Sequence, residues 1–380
     1  MTALGRFMAT IGVGSWFVGW MTGWTELMVI AAGSLLALMV AVPFVTGRLR
    51  LDTSRALIPD RVTVGSGART EITIYNPGRT PSRSTVLEDR VGPDRHPVPV
   101  PVLAPSGNHQ GGYDLPTGRR GVFGVGPLVA VRQDPLRLLR REVEQARTDT
   151  FFVHPRVVAT RPLPLGFAKD LEGPTSDASP TGDVAFHTLR DYQMGDNFRH
   201  IHWLSTARTG TTMVRHYVDN RRPTLAVVLD DRAADLDGDQ FETAVEATAS
   251  LAVSSLAARQ PVSVAFGGMS LRSPARAGSR TDLLDRLAGV QPGPGTGLLE
   301  ASVEALRHDP EASALAIVTG PTSAVELARL AAHLRRRVRI IVIRVWPDRN
   351  GLDQVGIPGA TVLDISDHRQ FQAAWNRFAS

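Results

Sequence analysis

Two apolar runs stand almost end to end at the start of the chain. Residues 7–24 and 27–45 are separated only by Thr25 and Glu26. In helical form, about 18 to 20 apolar residues span roughly the hydrocarbon core of a bilayer. Because helices satisfy their own backbone hydrogen bonds in lipid, the pattern predicts a transmembrane helical hairpin over residues 1–47.

The charges that flank these runs predict the orientation of the hairpin. Arg6 precedes the first run, whereas Arg48, Arg50 and Arg55 follow the second, and Glu26 is the charged residue of the link. Arginine is enriched on the cytoplasmic side of membrane helices. We therefore expect a multi-pass protein of the cell (cytoplasmic) membrane with two helices, its soluble domains facing the cytoplasm and its first partner the lipid bilayer.

After the hairpin, short β-prone stretches alternate with turn residues. The predicted strands include residues 70–75, 84–87, 98–103 and 127–132, each close to Pro, Gly or Asn. Strands at this spacing are typical of an antiparallel β-sandwich, which we place at residues 48–160. Residues 161–222 are expected to hold a linker, rich in Pro, Gly, Ser and Asp up to residue 181, followed by a dense functional motif.

From residue 223 the pattern changes to alternating strands and helices, which favours a doubly wound, mostly parallel α/β sheet over residues 223–380. Ligands bind such sheets beyond the carboxyl ends of the strands. The whole chain is thus predicted to be α/β plus β. The predicted strands are 224–229, 261–266, 312–318, 338–345 and 360–363, and the predicted helices are 241–258, 281–288, 297–306, 325–334 and 371–378.

Composition narrows the chemistry. The chain has no cysteine, which excludes disulfides, thiol nucleophiles and cysteine-based zinc sites. Its 42 Lys and Arg residues against 37 Asp and Glu residues give a net charge of only +5. Since no basic run is interleaved with aromatic residues, anionic lipid headgroups explain the excess better than nucleic acid. No phosphate-binding Gly-x-x-x-x-Gly-Lys motif is present, so we expect no nucleotide hydrolysis by this chain.

The densest cluster of functional residue types spans residues 186–210. Gly195 and Asp196 predict a turn and an N-cap before a helix over residues 197–208, with Gly210 just past its end. A strand over residues 212–218 is expected to follow. The candidate partner-binding or interdomain residues are Arg190, Asp191, Tyr192, Asp196, Arg199, His202, Trp203, Arg208 and Arg215.

This cluster carries a family resemblance. Residues 189–203 read Leu-Arg-x-Tyr-x-x-Gly-Asp-x-x-Arg-x-Ile-His-Trp, which resembles the signature of bacterial membrane-anchored proteins containing the domain of unknown function numbered 58. The resemblance implies a von Willebrand factor A-like domain in the carboxyl-terminal half. It also implies two partners, a MoxR-type AAA+ ATPase and a transglutaminase-like membrane protein, but no reaction.

A von Willebrand A-like domain further implies a Mg²⁺ site built from oxygen ligands, including an Asp-x-Ser-x-Ser motif after the first strand. Here that strand is followed by Asp230, Asp231 and Arg232, so both serines are missing and a cation stands near the expected ligands. Thr296 matches the expected threonine, whereas Gly320 replaces the expected third-loop aspartate. We therefore predict a degenerate metal-site edge formed by Asp230, Asp231, Arg232 and Thr296, with no bound Mg²⁺ and no other cofactor.

Three functions fit these residues. The first is a non-enzymatic adaptor or scaffold that presents the α/β edge and the signature segment to the AAA+ ATPase or to a membrane complex. The second is a hydrolase that uses the His/Asp cluster. The third is an arginine-driven module that binds anionic lipid or nucleic acid.

The hydrolase hypothesis draws on the histidines of the signature segment, which lie near Asp191, Asp196 and Ser205 in the sequence. Because no Gly-x-Ser-x-Gly elbow exists, no catalytic residue is assigned. The Arg and Asp residues of the same segment equally suit an architectural role, in which they pin the sandwich to the α/β domain. The histidines are His187, His200, His202 and His216.

Overall fold

The computed structural model describes residues 1–46, 51–164, 184–193, 198, 201–219, 224–232, 236, 238–346 and 356–380, with only the backbone described at 184–188 and 215–219. These residues form two compact units, Met1–Pro155 and Arg156–Ser380. Helices and several β-sheets are both present, so the predicted mixed α/β class is confirmed.

Two helices begin the first unit, α1 (Ala3–Thr22) and α2 (Thr25–Val45). Gly23 ends α1 with a φ of +73°, a left-handed conformation that costs glycine little. Among the described residues, α2 is the helix with both the length and the apolarity to cross a membrane; the mean hydropathy of its most apolar 18-residue window is 2.4.

The two helices approach each other closely at small residues. A Cβ atom on Gly12 would lie 3.0 Å from the Cβ of Ser34, and one on Gly19 would lie 3.1 Å from the Cβ of Leu27. The start of α1 is also held by a turn between two strands of the same unit, because Thr2 donates from its amide to the carbonyl of Leu138 over 3.1 Å.

The rest of the first unit is built from ten strands in two sheets. The smaller sheet has the order β1-β3-β6, and the larger has the order β2-β10-β7-β4-β8-β9 with β5 paired to β4. Neighbours are antiparallel except β2 and β10. The strands are β1 (Asp52–Ile58), β2 (Arg61–Thr63), β3 (Arg69–Tyr75), β4 (Thr85–Val91), β5 (Asp94–Val100), β6 (Asn108–Asp114), β7 (Gly121–Val125), β8 (Leu128–Gln133), β9 (Arg140–Ala146) and β10 (Asp149–His154).

Apolar side chains of both sheets meet in shared buried clusters. Ile72 and Ile74 of the smaller sheet pack with Leu87 and Leu128 of the larger one. This packing follows from the alternation of buried and exposed positions in β3, which is typical of a strand with one solvated face. The unit therefore has the two-sheet core that the turn spacing predicts.

The second unit contains a hairpin of β11 (Val184–Asp191) and β12 (Met213–Asp219), with the short helix α3 (Trp203–Thr209) between these strands in sequence. Its main sheet has the order β15-β14-β13-β16-β17-β18, parallel except for the β14–β15 pair. These strands are β13 (Thr224–Leu229), β14 (Val262–Phe266), β15 (Met269–Ser273), β16 (Ala312–Thr319), β17 (Arg339–Val345) and β18 (Ala360–Ile365). The remaining helices are α4 (Gly238–Ala257), α5 (Ser279–Ala288), α6 (Leu298–His308), α7 (Ala324–Leu334) and α8 (His368–Phe378).

Helices cover both faces of the six-stranded sheet. Alternate residues of β13 enter two different cores: Val227 packs in the core that includes residues of α4, α5 and α8, and Val228 packs in the core that includes residues of α6 and α7. All six residues of β13 are buried. A continuous apolar strand of this kind is expected where both faces of a sheet are covered.

The segment after Pro155 packs on the second unit. The amide of Val158 donates to Ser250 of α4 over 3.0 Å, the indole of Trp375 donates to the carbonyl of Arg161 over 2.8 Å, and Leu163 is buried in the adjoining core. Residues 156–160, which the sequence analysis assigned to the sandwich, therefore lie against α4 and α8. Most of the predicted linker lies outside the described residues.

Candidate functional site

The signature segment forms part of an antiparallel hairpin. In this pairing Leu189 lies opposite Arg215, and Asp191 lies opposite Met213. Asp196 and Arg199 lie outside the described residues, and the side chain of Arg215 is not described. The predicted strand over residues 212–218 corresponds to β12, whereas β11 was not anticipated.

The predicted helix over residues 197–208 begins later than expected, at Trp203. Ile201 forms a β-bridge with Val214, and the amide of His202 donates to the carbonyl of Met213 over 2.8 Å. Residues 201–202 are therefore tied to β12 and cannot begin a helix. Burial of Ile201, which is 6% exposed, and of Val214, which is 4% exposed, stabilises this pairing.

Four apolar or aromatic side chains of this segment form what we term the signature surface: Tyr192, Phe198, Trp203 and Leu204. The rings of Tyr192 and Phe198 stack with centroids 5.6 Å apart. Phe198, Trp203 and Leu204 are 70%, 68% and 67% exposed. Large apolar side chains that are exposed in this way are candidate interaction residues in soluble domains.

His202 is half-buried and caps α3. Its Nδ1 accepts from the amide of Ser205 over 3.3 Å and lies 2.7 Å from the hydroxyl oxygen of that residue. This is the distance of a base and a nucleophile, but both contacts satisfy the first turn of the helix. Among the described residues, no carboxylate forms an ion pair with His202. The geometry therefore accounts for a cap and supplies no triad.

The charged candidates of the hairpin lie in the same segment of the chain. Arg190 is half-buried and donates to the carbonyl of Asp191 over 3.2 Å. Asp191 is exposed, and Arg208 is an exposed residue in the last turn of α3, where a cation is favourable to the helix dipole.

At the carboxyl edge of the six-stranded sheet, Asp230 and Arg232 form a bidentate ion pair. The Nε of Arg232 donates to Oδ1 of Asp230 over 2.9 Å, and its Nη2 donates to Oδ2 over 2.8 Å. Thr319, at the end of β16, adds a hydrogen bond of 2.6 Å to Oδ2 of Asp230. Asp230 is 3% exposed, so these contacts compensate for the cost of burying its charge.

These residues do not fit a Mg²⁺ ion. A hard cation needs several free oxygen ligands, but the guanidinium of Arg232 already occupies both oxygens of Asp230. Among the described residues, no group of three or more His, Asp or Glu side chains is arranged to hold a metal. The guanidinium of Arg232 is thus the cation that neutralises Asp230 in this structure.

The loop that carries Thr296 approaches this ion pair closely. Gly295 has a φ of +54°, and a Cβ atom at this position would lie 2.5 Å from Cγ of Arg232. A backbone hydrogen bond of 2.8 Å from Gly293 to the carbonyl of Asp231 holds the loop in place. Glycine at position 295 therefore allows the loop to cover the aliphatic part of Arg232.

Next to the ion pair lies a cleft of about 350 Å³ that we term the edge cleft. It runs between the β14–β15 turn and α6. Its polar lining comprises Asp230, Asp231, Ser270, Thr296, Glu300 and Glu304, and its apolar lining includes Ala265, Phe266, Met269, Leu298, Ala301 and Ala305.

Asp231 is the most buried carboxylate after Asp230 at this edge, at 8% exposure. Burial raises the pKa of its carboxyl group, and the neighbouring charge of Asp230 raises that pKa further, although the amide of Gly267 opposes both effects. Perturbed groups of this kind in a cleft are typical of functional sites.

Sequence reasoning missed two parts of this edge. Thr319 was not predicted, because the family pattern places the expected aspartate at position 320, which is Gly320. The wall formed by β15 was missed because residues 269–273 are short and mostly polar, although the Gly267-Gly268 pair before them is a hairpin signal.

Comparison with known proteins identifies the carboxyl-terminal half. The family model described as "Protein of unknown function DUF58" matches residues 188–372, which confirms the resemblance drawn from the signature. No curated protein matches the chain.

Solved structures resemble the chain only distantly. A CARDB domain from Pyrococcus furiosus is 19% identical over 28% of this chain and 96% of its own, with a TM-score of 0.21. An alkylpurine DNA glycosylase from Pseudomonas fluorescens is 10% identical over 39% of this chain and 45% of its own, with a TM-score of 0.21. A β-galacturonidase from Eisenbergiella tayi is 10% identical over 78% and 46%, with a TM-score of 0.19. These scores support no inference about fold or function.

Proposed function

Residues 188–372 match the DUF58 family model, whose description assigns no reaction, so we propose the function of the chain from its own surfaces. It is a membrane-anchored, non-enzymatic adaptor. Its carboxyl-terminal domain is von Willebrand A-like with a degenerate metal site. It presents the signature surface and the carboxyl edge of the sheet to a MoxR-type AAA+ ATPase, with a transglutaminase-like membrane protein as a further partner.

The signature surface is the observation that carries this proposal. Trp203 and Leu204 are adjacent and more than two-thirds exposed, although each would gain from burial. Aromatic and arginine residues dominate the energetics of protein interfaces, and the exposed Arg208 lies on the same short helix. The competing hydrolase hypothesis is supported by a Ser205–His202 contact that also caps α3, and among the described residues no carboxylate forms an ion pair with His202.

The anchor is proposed to be a two-helix transmembrane hairpin. Both helices expose apolar side chains such as Trp20, Val29 and Leu35, which are 67%, 70% and 61% exposed. In water such surface would be unfavourable, whereas lipid solvates it. By the positive-inside rule, Arg6 before the first helix and Arg48 and Arg50 after the second favour a cytoplasmic location of both ends, and hence of the soluble parts.

The proposal is tested by direct binding. The full-length chain, embedded in a lipid nanodisc, is immobilised and titrated with the purified MoxR-type ATPase of the same organism in biolayer interferometry. We expect saturable binding that Trp203→Ala weakens at least about tenfold, as for an interface hot spot. Ser205→Ala should leave the affinity unchanged, because it removes the hydroxyl that a hydrolase would need but no part of the signature surface.

A matched control is available in the sandwich. Val122 is 46% exposed and apolar but lies outside the signature surface, so Val122→Ala should bind as the native chain does. Absence of ATPase binding by the folded native chain would refute the proposal. A loss of affinity equal in Val122→Ala and Trp203→Ala would refute the role of the signature surface.

A further inference from the structure

We propose that the edge cleft receives an arginine side chain from the partner protein. This inference rests on the proposed function, since it specifies the chemistry by which the partner is recognised at the sheet edge. It concerns Asp231 and Glu300, which line the cleft but are not part of the Asp230–Arg232 ion pair.

The charge of the cleft favours a cation. Arg232 is committed to Asp230 by two hydrogen bonds, and Glu304 is paired with Arg307 at 2.7 Å. Among the described residues, Asp231 and Glu300 form no ion pair, and both line the cleft. The Asp231 carboxylate is 92% removed from solvent, and two amide hydrogen bonds together with the nearby charge of Arg232 offset only part of the cost of its burial, since its pKa remains raised. A guanidinium in the cleft would relieve that cost.

The amino end of α6 also borders the cleft, and on its own this end would attract an anion. Glu300 already supplies negative charge within the first turn of α6. The opposing Asp231 adds a second negative charge that an incoming anion would have to approach. An anionic ligand is therefore disfavoured.

The shape and the apolar lining favour a long side chain over a free metal ion. Phe266, Leu298 and Ala301 line the cleft, and Met269 is 55% exposed at it. An arginine can lay its aliphatic stem on such a surface while its charged head reaches a carboxylate. The volume of about 350 Å³ lies at the lower end of ligand pockets, which suits one side chain.

The charge of Asp231 also predicts that the affinity for arginine depends on pH. Since burial raises the pKa of the Asp231 carboxyl group, its protonation would remove the charge that holds the guanidinium. Affinity for arginine should therefore decrease as the pH falls through this pKa. The charged groups around Asp231 are Asp230 and Arg232 on its own segment, and Glu300 and Glu304 of α6, which line the same cleft.

The test uses the full-length chain in nanodiscs, labelled with ¹³C-methyl methionine and observed by NMR. The Met269 resonance is assigned by its loss in Met269→Leu. Titration with Nα-acetyl-arginine amide should shift this resonance saturably, whereas the uncharged Nα-acetyl-citrulline amide should not. Asp231→Asn should weaken the arginine affinity at least about tenfold, since it leaves the guanidinium without its buried counter-charge.

Two further variants keep the result interpretable. Glu300→Gln alters an exposed residue, so folding is preserved, and it should weaken the arginine affinity by about threefold, as expected of a more hydrated charge. Glu311→Gln, which precedes β16 and lies outside the cleft, should change nothing. Equal shifts with citrulline, or no Met269 shift with arginine, would overturn the inference.

Failure here and failure of the proposed function give different results. If arginine titrates Met269 normally but the ATPase does not bind, the cleft inference stands as a guanidinium site and the adaptor proposal falls. If the ATPase binds but its affinity is the same in Asp231→Asn, the partner does not use the cleft, and the inference falls alone.

Discussion

Arg232 donates two side-chain hydrogen bonds to the buried carboxylate of Asp230. Removal of Arg232 therefore tests how much this single residue stabilises the carboxyl edge of the sheet. We expect Arg232→Ser to lower the free energy of unfolding of the second unit by about 2–3 kcal/mol, because Asp230 would remain buried without a counter-charge. The loss falls below that of a wholly enclosed pair because the Arg232 side chain is 21% exposed. Hydrogen exchange of β13 and β16 in increasing urea would measure it.

The matched control for this prediction is Arg307→Ser. Arg307 pairs with Glu304 at 2.7 Å, but both side chains are more than one-third exposed, and such pairs contribute about 0–1 kcal/mol. Addition of Mg²⁺ should not stabilise the native chain, since Arg232 already occupies the carboxylate. A large Mg²⁺-dependent rise in the stability of the native chain would contradict the assignment of Arg232 as the resident cation.

Glu246 on α4 predicts a pH dependence of stability. Burial raises the pKa of its carboxyl group to about 7, and Glu242 adds to the rise, whereas Arg156 opposes it. The folded state therefore binds a proton that the unfolded state releases between about pH 4.5 and 7. The contribution of Glu246 to stability should decrease as the pH rises through this range and stay low above it.

The variant Glu246→Gln should abolish this pH dependence. At pH 8 it should also stabilise the second unit by about 1–2 kcal/mol, which is less than the full pKa shift of Glu246 implies because its carboxylate is partly hydrated. Urea unfolding from pH 5 to pH 8, followed by hydrogen exchange of α4, would measure it. Glu311→Gln is the exposed control. An unchanged pH slope in Glu246→Gln would show that another group causes the dependence.

At the scale of elements, the two sheets of the first unit are joined by a buried ion pair. Arg55 of β1 donates to Asp89 of β4 over 2.7 Å, and both side chains are fully buried. We expect Arg55→Leu to lower the stability of the first unit by about 3–5 kcal/mol, because Asp89 would be left as an unpaired buried charge. Chemical denaturation followed by hydrogen exchange of β3 and β4 would measure the loss.

A double-mutant cycle separates this charge effect from packing. The variant Arg55→Leu/Asp89→Leu removes both charges, so it should be more stable than Arg55→Leu alone. The control Arg61→Leu breaks an exposed pair with Asp60 and should have little effect. If the double variant were as unstable as the sum of the single variants, the ion pair would not couple the two sheets.

Element types were predictable where burial follows a simple period, and less so where tertiary pairing overrides it. The continuous apolar runs of β13, β16 and β17 were recognised because they are covered on both faces. The predicted start of α3 was wrong, because Ile201 pairs with Val214, which belongs to a strand twelve or more residues away. Local helix signals carry no information about such a partner.

The candidate site was likewise predictable only in part from the sequence. The sequence places Asp230 and Arg232 at the end of a buried strand, which is sufficient to predict that they lie at the carboxyl edge of the sheet. It does not reveal that the guanidinium binds both oxygens of Asp230 or that Asp231 faces a cleft. These facts depend on α6 and on the β14–β15 turn, which are brought to the edge only by the fold.

At the scale of the whole molecule, a helix that is long and apolar enough to cross a membrane accompanies two candidate binding surfaces, the signature surface and the edge cleft. The anchor begins at the amino terminus, where Thr2 is hydrogen-bonded to the turn after β8. Arg55, which the sequence analysis counted among the flanking charges of the hairpin, is instead enclosed in the sandwich. Arg6, Arg48 and Arg50 remain as the flanking basic residues, and they favour a cytoplasmic location of both ends of the proposed hairpin.

The absence of cysteine from the chain makes this orientation directly measurable. In intact cells, a membrane-impermeant maleimide should label Thr25→Cys, at the link between α1 and α2, but should label Ser380→Cys only after the membrane is permeabilised. This result is expected because a two-helix hairpin returns the chain to the side from which it entered, and the arginines favour the cytoplasm. The native chain is the unlabelled control. Labelling of Ser380→Cys in intact cells would place the signature surface outside the cytoplasm, where a cytosolic ATPase could not reach it, and the adaptor proposal would fail with the orientation.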